Sequence, residues 1–271
     1  MLSPPVELMR PVAVRTMPRL ANALWQPKVD GWRAACFIGA DGVQIQARSG
    51  RIITDRFPEL GPALAGLPSG CVLDGEMVAW RPDESGELTL DFLSLARTPA
   101  RRRMLGVSMQ FLAFDLLCDD GQDVRSLPLS DRWPRLLAVL DGAPPLVQPI
   151  VSTHDREQAE EWAAALVPRG FEGLVAKRWS SPYGEPRSWF KRRYADTVDG
   201  TVVDVVDGHA LRVRLGGGRQ VVTEPLSRVQ ARELAEVMAE RTDADAPLTV
   251  EVRVGAGRHG TVAFVRARPD V

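Results

Sequence analysis

Three lysines stand against thirty-one arginines in this 271-residue chain. A chain that uses Arg almost everywhere for positive charge keeps Lys where Arg cannot do the work. A lysine amine can lose its proton and attack an electrophile, whereas a guanidinium stays charged. The three lysines sit in Lys28-Val29-Asp30-Gly31-Trp32-Arg33, Glu172-Gly173-Leu174-Val175-Ala176-Lys177 and Trp189-Phe190-Lys191-Arg192-Arg193. Lys28 follows Pro27 and precedes Asp30-Gly31, which reads as a tight turn holding an amine near a carboxylate. To attack phosphorus the amine must be neutral, so it needs a nearby cation or metal to lower its pKa. Lys191 is the candidate cation, and its charge would also offset negative charge on a transferring phosphoryl group. Glu76 in Leu73-Asp74-Gly75-Glu76 and Glu172 in Phe171-Glu172-Gly173 are the candidate carboxylates for a divalent metal. Phe114, just before Asp115, is either an aromatic face for a base or a core residue.

Elements must hold these groups in place. The first two-thirds of the chain reads as mixed α/β. Ala34–Ile38 and Val43–Ala47 are expected strands, joined by the hairpin turn Gly39-Ala40-Asp41-Gly42. Val72–Trp80, Met109–Leu117, Leu174–Lys177 and Ser188–Arg193 also read as strands. Phe57–Leu67, Leu129–Leu140 and Asp155–Leu166 read as helices. After about Tyr194 the texture changes to short strands at Thr201–Val206, Leu211–Leu215, Gln220–Thr223, Leu248–Val254 and Thr261–Val265. A helix at about Leu226–Arg241 falls between the third and fourth of them, the order of a small OB-type barrel. The expected boundary therefore gives domains at 1–195 and 196–271.

The composition is that of a globular chain, and the net charge of −1 argues against coating nucleic acid by bulk charge. It leaves room for local basic clusters: Lys177-Arg178, Lys191-Arg192-Arg193 and Arg101-Arg102-Arg103, the last expected to be a solvated loop. No apolar run approaches the ~20 residues of a membrane span, and Met1–Leu20 carries no signal-peptide core. Cys36, Cys71 and Cys118 are spaced for neither zinc nor a redox pair, and read as buried thiols of a cytoplasmic protein. His154, His209 and His259 are too scattered for a histidine triad.

The segment Lys28–Arg33 resembles the Lys-x-Asp-Gly-x-Arg signature of covalent nucleotidyltransferases: ATP-dependent DNA ligases, RNA ligases and mRNA capping enzymes. Alone it is a weak signal. The ordered set with Arg48-Ser49-Gly50, Asp74-Gly75-Glu76, Phe114-Asp115-Leu116-Leu117, Glu172–Lys177 and Lys191-Arg192-Arg193 is a specific one. Arg258-His259 and then Phe264-Val265-Arg266-Ala267-Arg268-Pro269-Asp270 resemble the last motif of the OB domain. The best match is to small bacterial ATP-dependent DNA ligases. The resemblance implies an α+β nucleotidyltransferase (adenylation) domain with antiparallel sheets flanked by helices, then a small all-β OB-fold domain.

It further implies roles. Lys28 would form a covalent lysyl-AMP, with Gln26 at the adenine edge and Phe114 on the ring. Glu76 would hold the ribose or a metal, and Glu172 the Mg²⁺ or Mn²⁺ ion. Lys191 would meet the α-phosphate, assisted by Arg193. Arg33 and Arg48 would touch the nucleotide or the 5′-phosphate of a nick. Arg268 and Asp270 would orient the pyrophosphate. Lys177 is either a further nucleotide contact or half of a structural ion pair. Gln26 stands where many relatives carry Glu, so its amide could tolerate another base. Arg193 stands where a second Lys is common, keeping charge and changing geometry.

The implied substrates are ATP and nicked double-stranded DNA, acted on by a monomer at the nucleoid, with DNA-repair or end-joining proteins as partners. An RNA ligase, a capping guanylyltransferase and a catalytically silent nucleic-acid-binding relative are the alternatives. Labelling with ATP against GTP separates ligase from capping enzyme, and the intact Lys28, Glu76, Glu172 and Lys191 argue against a silent relative. With about twenty-seven residues before Lys28, too few for a nicotinamide-binding domain, NAD is not the expected cofactor. The chain stops at Val271, just after the final motif, so closure around DNA is expected to be less complete or to need a partner.

Overall fold

A computed structural model describes residues 2–83, 85–194, 197–239, 246–254 and 262–268. The chain divides into two compact units, Met1–Leu95 with Pro99–Arg193, and Ala96–Thr98 with Tyr194–Val271.

The first unit begins with β1 (Val12–Ala13), β2 (Ala23–Lys28), β3 (Trp32–Gly39), β4 (Gly42–Ala47) and the short helix α1 (Gly61–Ala65). There follow β5 (Cys71–Pro82), β6 (Leu88–Leu90), α2 (Pro99–Met104), β7 (Ser108–Asp119) and β8 (Gln122–Asp123). It ends with α3 (Leu129–Val139), β9 (Val147–Pro149), α4 (Arg156–Leu166), β10 (Gly173–Arg178) and β11 (Trp189–Arg193). One sheet has the order β4-β3-β5-β7-β8, with β6 against β5 and β9 against β7. The other has the order β1-β11-β10-β2.

Register decides what the second sheet offers. Gly173 lies opposite both Lys28 and Arg193, and Val175 opposite both Gln26 and Lys191. Paired residues point to the same side of a sheet. Gln26, Lys28, Lys191 and Arg193 therefore share one face. The other face carries Ala23, Trp25, Leu174, Ala176 and Phe190, packed against Ala159 and Ala163 of α4. Two alanines four apart give that helix a flat, close-packing stripe. Asp155 caps its start by accepting from the backbone N–H groups of Glu157 and Gln158.

Two expectations are corrected here. Lys28 does not lie within a turn; it ends β2, which runs through Pro27. The strand tolerates proline because Trp25 N–H points outward to Thr153 O, so the alternating Pro27 nitrogen also faces away from β10. Arg101-Arg102-Arg103 is not a solvated loop but part of α2. Arg102 is buried, with its Nε 2.9 Å from Glu59 Oε1 and its guanidinium 5.1 Å from the centroid of the Phe57 ring. The expected cysteines are indeed buried and free.

The second unit is built from β12 (Thr197–Val206), β13 (Ala210–Leu215), β14 (Gln220–Val222), α5 (Arg228–Ala239), β15 (Thr249–Val254) and β16 (Val262–Ala267). Its sheet runs β14-β13-β12-β15-β16, antiparallel throughout. Just past β14, Glu224 N–H donates to Val262 O at 2.7 Å, so the two edges meet as an OB-type barrel requires. Leu211, Val213, Val250, Val252 and Phe264 are buried in this unit. Among the described residues, no helix is long and apolar enough to cross a membrane.

Candidate active site

The end of β2 presents Lys28 beside Glu172, whose backbone N–H donates to Lys28 O at 2.9 Å. That bond fixes the two residues side by side, and the Lys28 amine is bonded to the Glu172 carboxylate. Arg193 Nε lies 3.4 Å from the same carboxylate oxygen. Gly173 makes this crowding possible: a Cβ there would sit 1.9 Å from Arg192 O. Lys191 completes the face. Burial, and then the charges of Lys28, Arg193 and Arg48, push its pKa down to about 8, against an opposing pull from Glu172. The cations that the sequence scattered over Lys28, Arg48, Lys191 and Arg193 thus act on one another in space.

Past Lys28 the chain turns at Gly31, where a Cβ would lie 2.2 Å from Met77 O and 2.8 Å from Glu76 Cγ. The turn between Lys28 and Gly31 is therefore bracketed by the two candidate metal carboxylates, Glu172 at one end and Glu76 at the other. A pair of hard oxygen donors suits Mg²⁺ or Mn²⁺, which take one or two protein carboxylates and complete their shells with phosphates and water. Among the described residues no group of three or more His, Cys, Asp or Glu side chains gathers as a metal cage. The donor set fits an ion held largely by a bound phosphate ligand.

Arg33 is the second residue of β3, on the same sheet face as Glu76, its partner across the strands. Its guanidinium is bidentate to Asp74, Nε to Oδ1 at 2.6 Å and a terminal nitrogen to Oδ2 at 2.5 Å. Tyr183 Oη donates to the same Oδ2 at 2.7 Å. Burial works against the Arg33 charge, but Asp74 and then Tyr183 outweigh it and raise the pKa. Arg33 also lies over the Phe114 ring, 4.3 Å from its centroid. Phe114 is 7% exposed and meets Trp189 edge-to-face at 6.1 Å. Tyr183 stands in none of the sequence motifs, and Asp74 stands in one, Asp74-Gly75-Glu76, whose expected role falls on Glu76.

Lys177 is buried on β10. Among the described residues its amine makes no ion pair. It donates to Phe114 O at 2.6 Å and lies 3.8 Å from the centroid of the Trp189 ring. Burial pushes its pKa down to about 7, opposed by Asp115 and Asp74. The aromatic faces and one carbonyl take the place of a carboxylate.

Gln26 is buried, and its Nε2 donates to Ser152 Oγ at 3.0 Å. Ser152 escaped the sequence reading, since it belongs to no motif and lies far from Gln26 along the chain. Arg48 is exposed in the turn after β4, closed by Gly50 N–H to Ala47 O at 2.9 Å. In the second unit Arg266 pairs with Glu251 at 2.5 Å and Arg268 with Asp199 at 3.4 Å. Arg258, His259 and Asp270 lie outside the described residues.

A family model describing an ATP dependent DNA ligase domain matches residues 8–193. DNA ligase C of Mycobacterium tuberculosis is 32% identical over 208 residues, covering 72% of this chain and 56% of that protein. DNA ligase C2 of Mycolicibacterium smegmatis is 32% identical over 202 residues, with the same coverage of 72% and 56%. The chain thus spans about half the length of the curated relatives it matches. Among solved structures, a mycobacterial DNA ligase D complexed with ATP superposes with a TM-score of 0.65 at 24% identity, over 96% of this chain and 95% of that one. The ligase domain of the M. tuberculosis ligase D gives 0.55 at 23% identity, over 97% and 96%. These likenesses bear on the fold, which is the expected α+β nucleotidyltransferase domain followed by a small OB-type barrel. With most of its first unit matched and these relatives covering over two-thirds of its length, the chain belongs to the family of ATP-dependent DNA ligase domains.

Proposed function

We propose that this chain seals nicks in double-stranded DNA at the expense of ATP, through a covalent nucleotide on Lys28. The observation that carries the reading is the surrounding of the Lys28 amine, held on Glu172 at a strand end with Lys191 and Arg193 on the same sheet face. In the first step the neutral amine attacks the α-phosphorus of ATP. The N–P bond forms as the bond to pyrophosphate breaks. A 5′-phosphate at the nick then takes the AMP and frees the lysine. Last, the 3′-hydroxyl attacks that 5′-phosphorus and AMP departs.

Lys191, assisted by Arg193, offsets the charge that grows on the α-phosphate. Gln26 reads the edge of the base and Phe114 its face. Arg48 meets the 5′-phosphate, while Arg33, held by Asp74, acts by fixing the Phe114 ring beneath its guanidinium. Arg268 and Asp270 orient the pyrophosphate in the first step. A Mg²⁺ or Mn²⁺ ion held by Glu76 and Glu172 supplies charge neutralisation at the phosphates when bound. Residues 1–195 form the adenylation domain and 196–271 the OB domain of a monomer serving DNA repair or end joining in the nucleoid.

The test is covalent labelling. Incubated with ATP and Mg²⁺, the intact chain gains the mass of one AMP and seals a nicked duplex. Lys28→Arg, which keeps the charge and loses the nucleophile, gains nothing. An adduct that persists in Lys28→Arg, or nucleotide binding without any adduct in the wild type, overturns the proposal.

A further inference from the structure

Gln26 shares its sheet face with Lys28, two residues away on β2, and is 2% exposed. Its amide nitrogen donates to Ser152 Oγ at 3.0 Å, and that hydroxyl donates to Ile150 O at 3.0 Å. A serine hydroxyl has one proton and an amide has two unlike ends. With its proton on Ile150 O, Ser152 can accept from the Gln26 NH₂ group but cannot donate to a Gln26 carbonyl. Turning the amide over would set two oxygens against each other, or take the proton from Ile150. Either way one of the two bonds is lost. Nε2 is therefore held on Ser152, and Oε1 is the end Gln26 can offer a ligand.

The serine is itself held. Trp25 and Thr153 exchange both backbone hydrogen bonds, at 2.8 and 3.0 Å, which clamps this segment along the outer edge of β2. Ile150 N–H donates to Ala113 O at 2.9 Å, next to Phe114 on β7. The relay Gln26–Ser152–Ile150–Ala113 thus ties the strand that carries Gln26 to the strand that carries Phe114.

We infer that Ser152 is a positioning residue for nucleotide selection: by locking the Gln26 amide it makes Gln26 an acceptor, so the site takes a 6-amino purine and rejects a 6-oxo purine. The inference rests on the proposed nucleotide transfer from ATP to Lys28. A rotatable amide would serve both bases, offering C=O to the amino group of one and NH₂ to the oxo group of the other. The locked amide gives this chain the acceptor-only edge that a carboxylate would have.

The experiment measures kcat/KM for labelling of the full chain with ATP and with inosine triphosphate, which replaces the 6-amino by a 6-oxo group. Ser152→Ala should lower the ATP-over-inosine preference roughly tenfold, the worth of about one hydrogen bond. The change should fall in KM rather than kcat. Ser152→Thr keeps a hydroxyl and should keep the preference. Ser152→Cys, a weak hydrogen-bonding replacement, should shift it as alanine does and serves if the alanine variant does not fold. In a Gln26→Glu background, where both carboxylate oxygens accept, Ser152→Ala should leave the ratio unmoved. If wild type is labelled by ATP and both nucleotides lose equally in Ser152→Ala, the serine merely packs and the inference fails alone. If the wild type is labelled by neither nucleotide, the underlying reading fails and the inference with it.

Discussion

Lys28 and Lys191 point from one face of one sheet, yet their surroundings set them different tasks. Lys28 has a carboxylate on its amine, whereas Lys191 is surrounded chiefly by cations and is half-buried. Burial and those neighbours bring the Lys191 pKa down to about 8, so the nucleotide-free chain loses this charge as pH rises through that value. A bound phosphate favours the protonated amine, so above pH 8 binding must take up a proton. ATP affinity measured calorimetrically should therefore fall above pH 8, approaching about tenfold per pH unit for one proton taken up. Lys191→Arg should bind less tightly at neutral pH because its geometry differs, but should show no such decline, since arginine stays charged. A wild-type profile flat to pH 9.5 would mean that Lys191 does not meet the phosphate. Lys28, Lys191, Glu172 and Arg193 were legible in sequence because each stands in a short motif. The partners of Arg33 were not. Its pairing with Asp74 and Tyr183 depends on how three distant segments pack, and no local pattern encodes that. The surroundings of Lys177 depend on packing in the same way, since the carbonyl and ring that hold its amine in place of an ion pair come from Phe114 and Trp189 on other strands.

Elements were legible where local chemistry and tertiary context agree. The hairpin of β3 and β4 announced itself through Asp41-Gly42, and Gly42 has φ +124°, a conformation side chains rarely adopt. β2 went unread because Pro27 resembles a turn, and what makes it admissible is the outward-facing edge that only the sheet reveals. Arg101-Arg102-Arg103 looked solvated because charge runs usually are, and the burial of Arg102 needed Glu59 and Phe57 to meet it. The same logic locates the weakest point for perturbation. Gly173 lies between Lys28 and Arg193 in the register, and nothing larger fits under Arg192 O. Gly173→Ala should push β10 and β11 apart and cost about 3 kcal/mol in urea unfolding, as overpacking of a fixed backbone does. It should also reduce Lys28 labelling below what the loss of folded protein accounts for, because Glu172 and Arg193 both move with that contact. Near-wild-type stability with normal labelling would show that the two strands yield without strain.

At the scale of the whole chain, 34 basic residues are balanced by 35 acidic ones, leaving a net charge of −1. Affinity for a polyanion must then come from where the cations are, not from how many there are. Many arginines are neutralised within their own unit: Arg132 by Asp115, Arg102 by Glu59, Arg266 by Glu251 and Arg268 by Asp199. Lys28 and Arg193 instead share the one carboxylate of Glu172, and together with Arg48 they lie close enough to help lower the Lys191 pKa despite it. Such crowding is costly alone and is relieved by an anion, so a concentrated phosphate contact is expected rather than a broad coat of charge. Binding to a nicked duplex, followed by fluorescence anisotropy over a salt series, reads the number of phosphates engaged from the slope of log K against log salt. Arg48 is the exposed member of the set, outside the proposed covalent chemistry. Arg48→Ala should reduce that slope by about one unit, the signature of one lost phosphate contact, and weaken binding similarly on different sequences. Unchanged slope with weaker binding would show that Arg48 holds the turn after β4 and touches no phosphate.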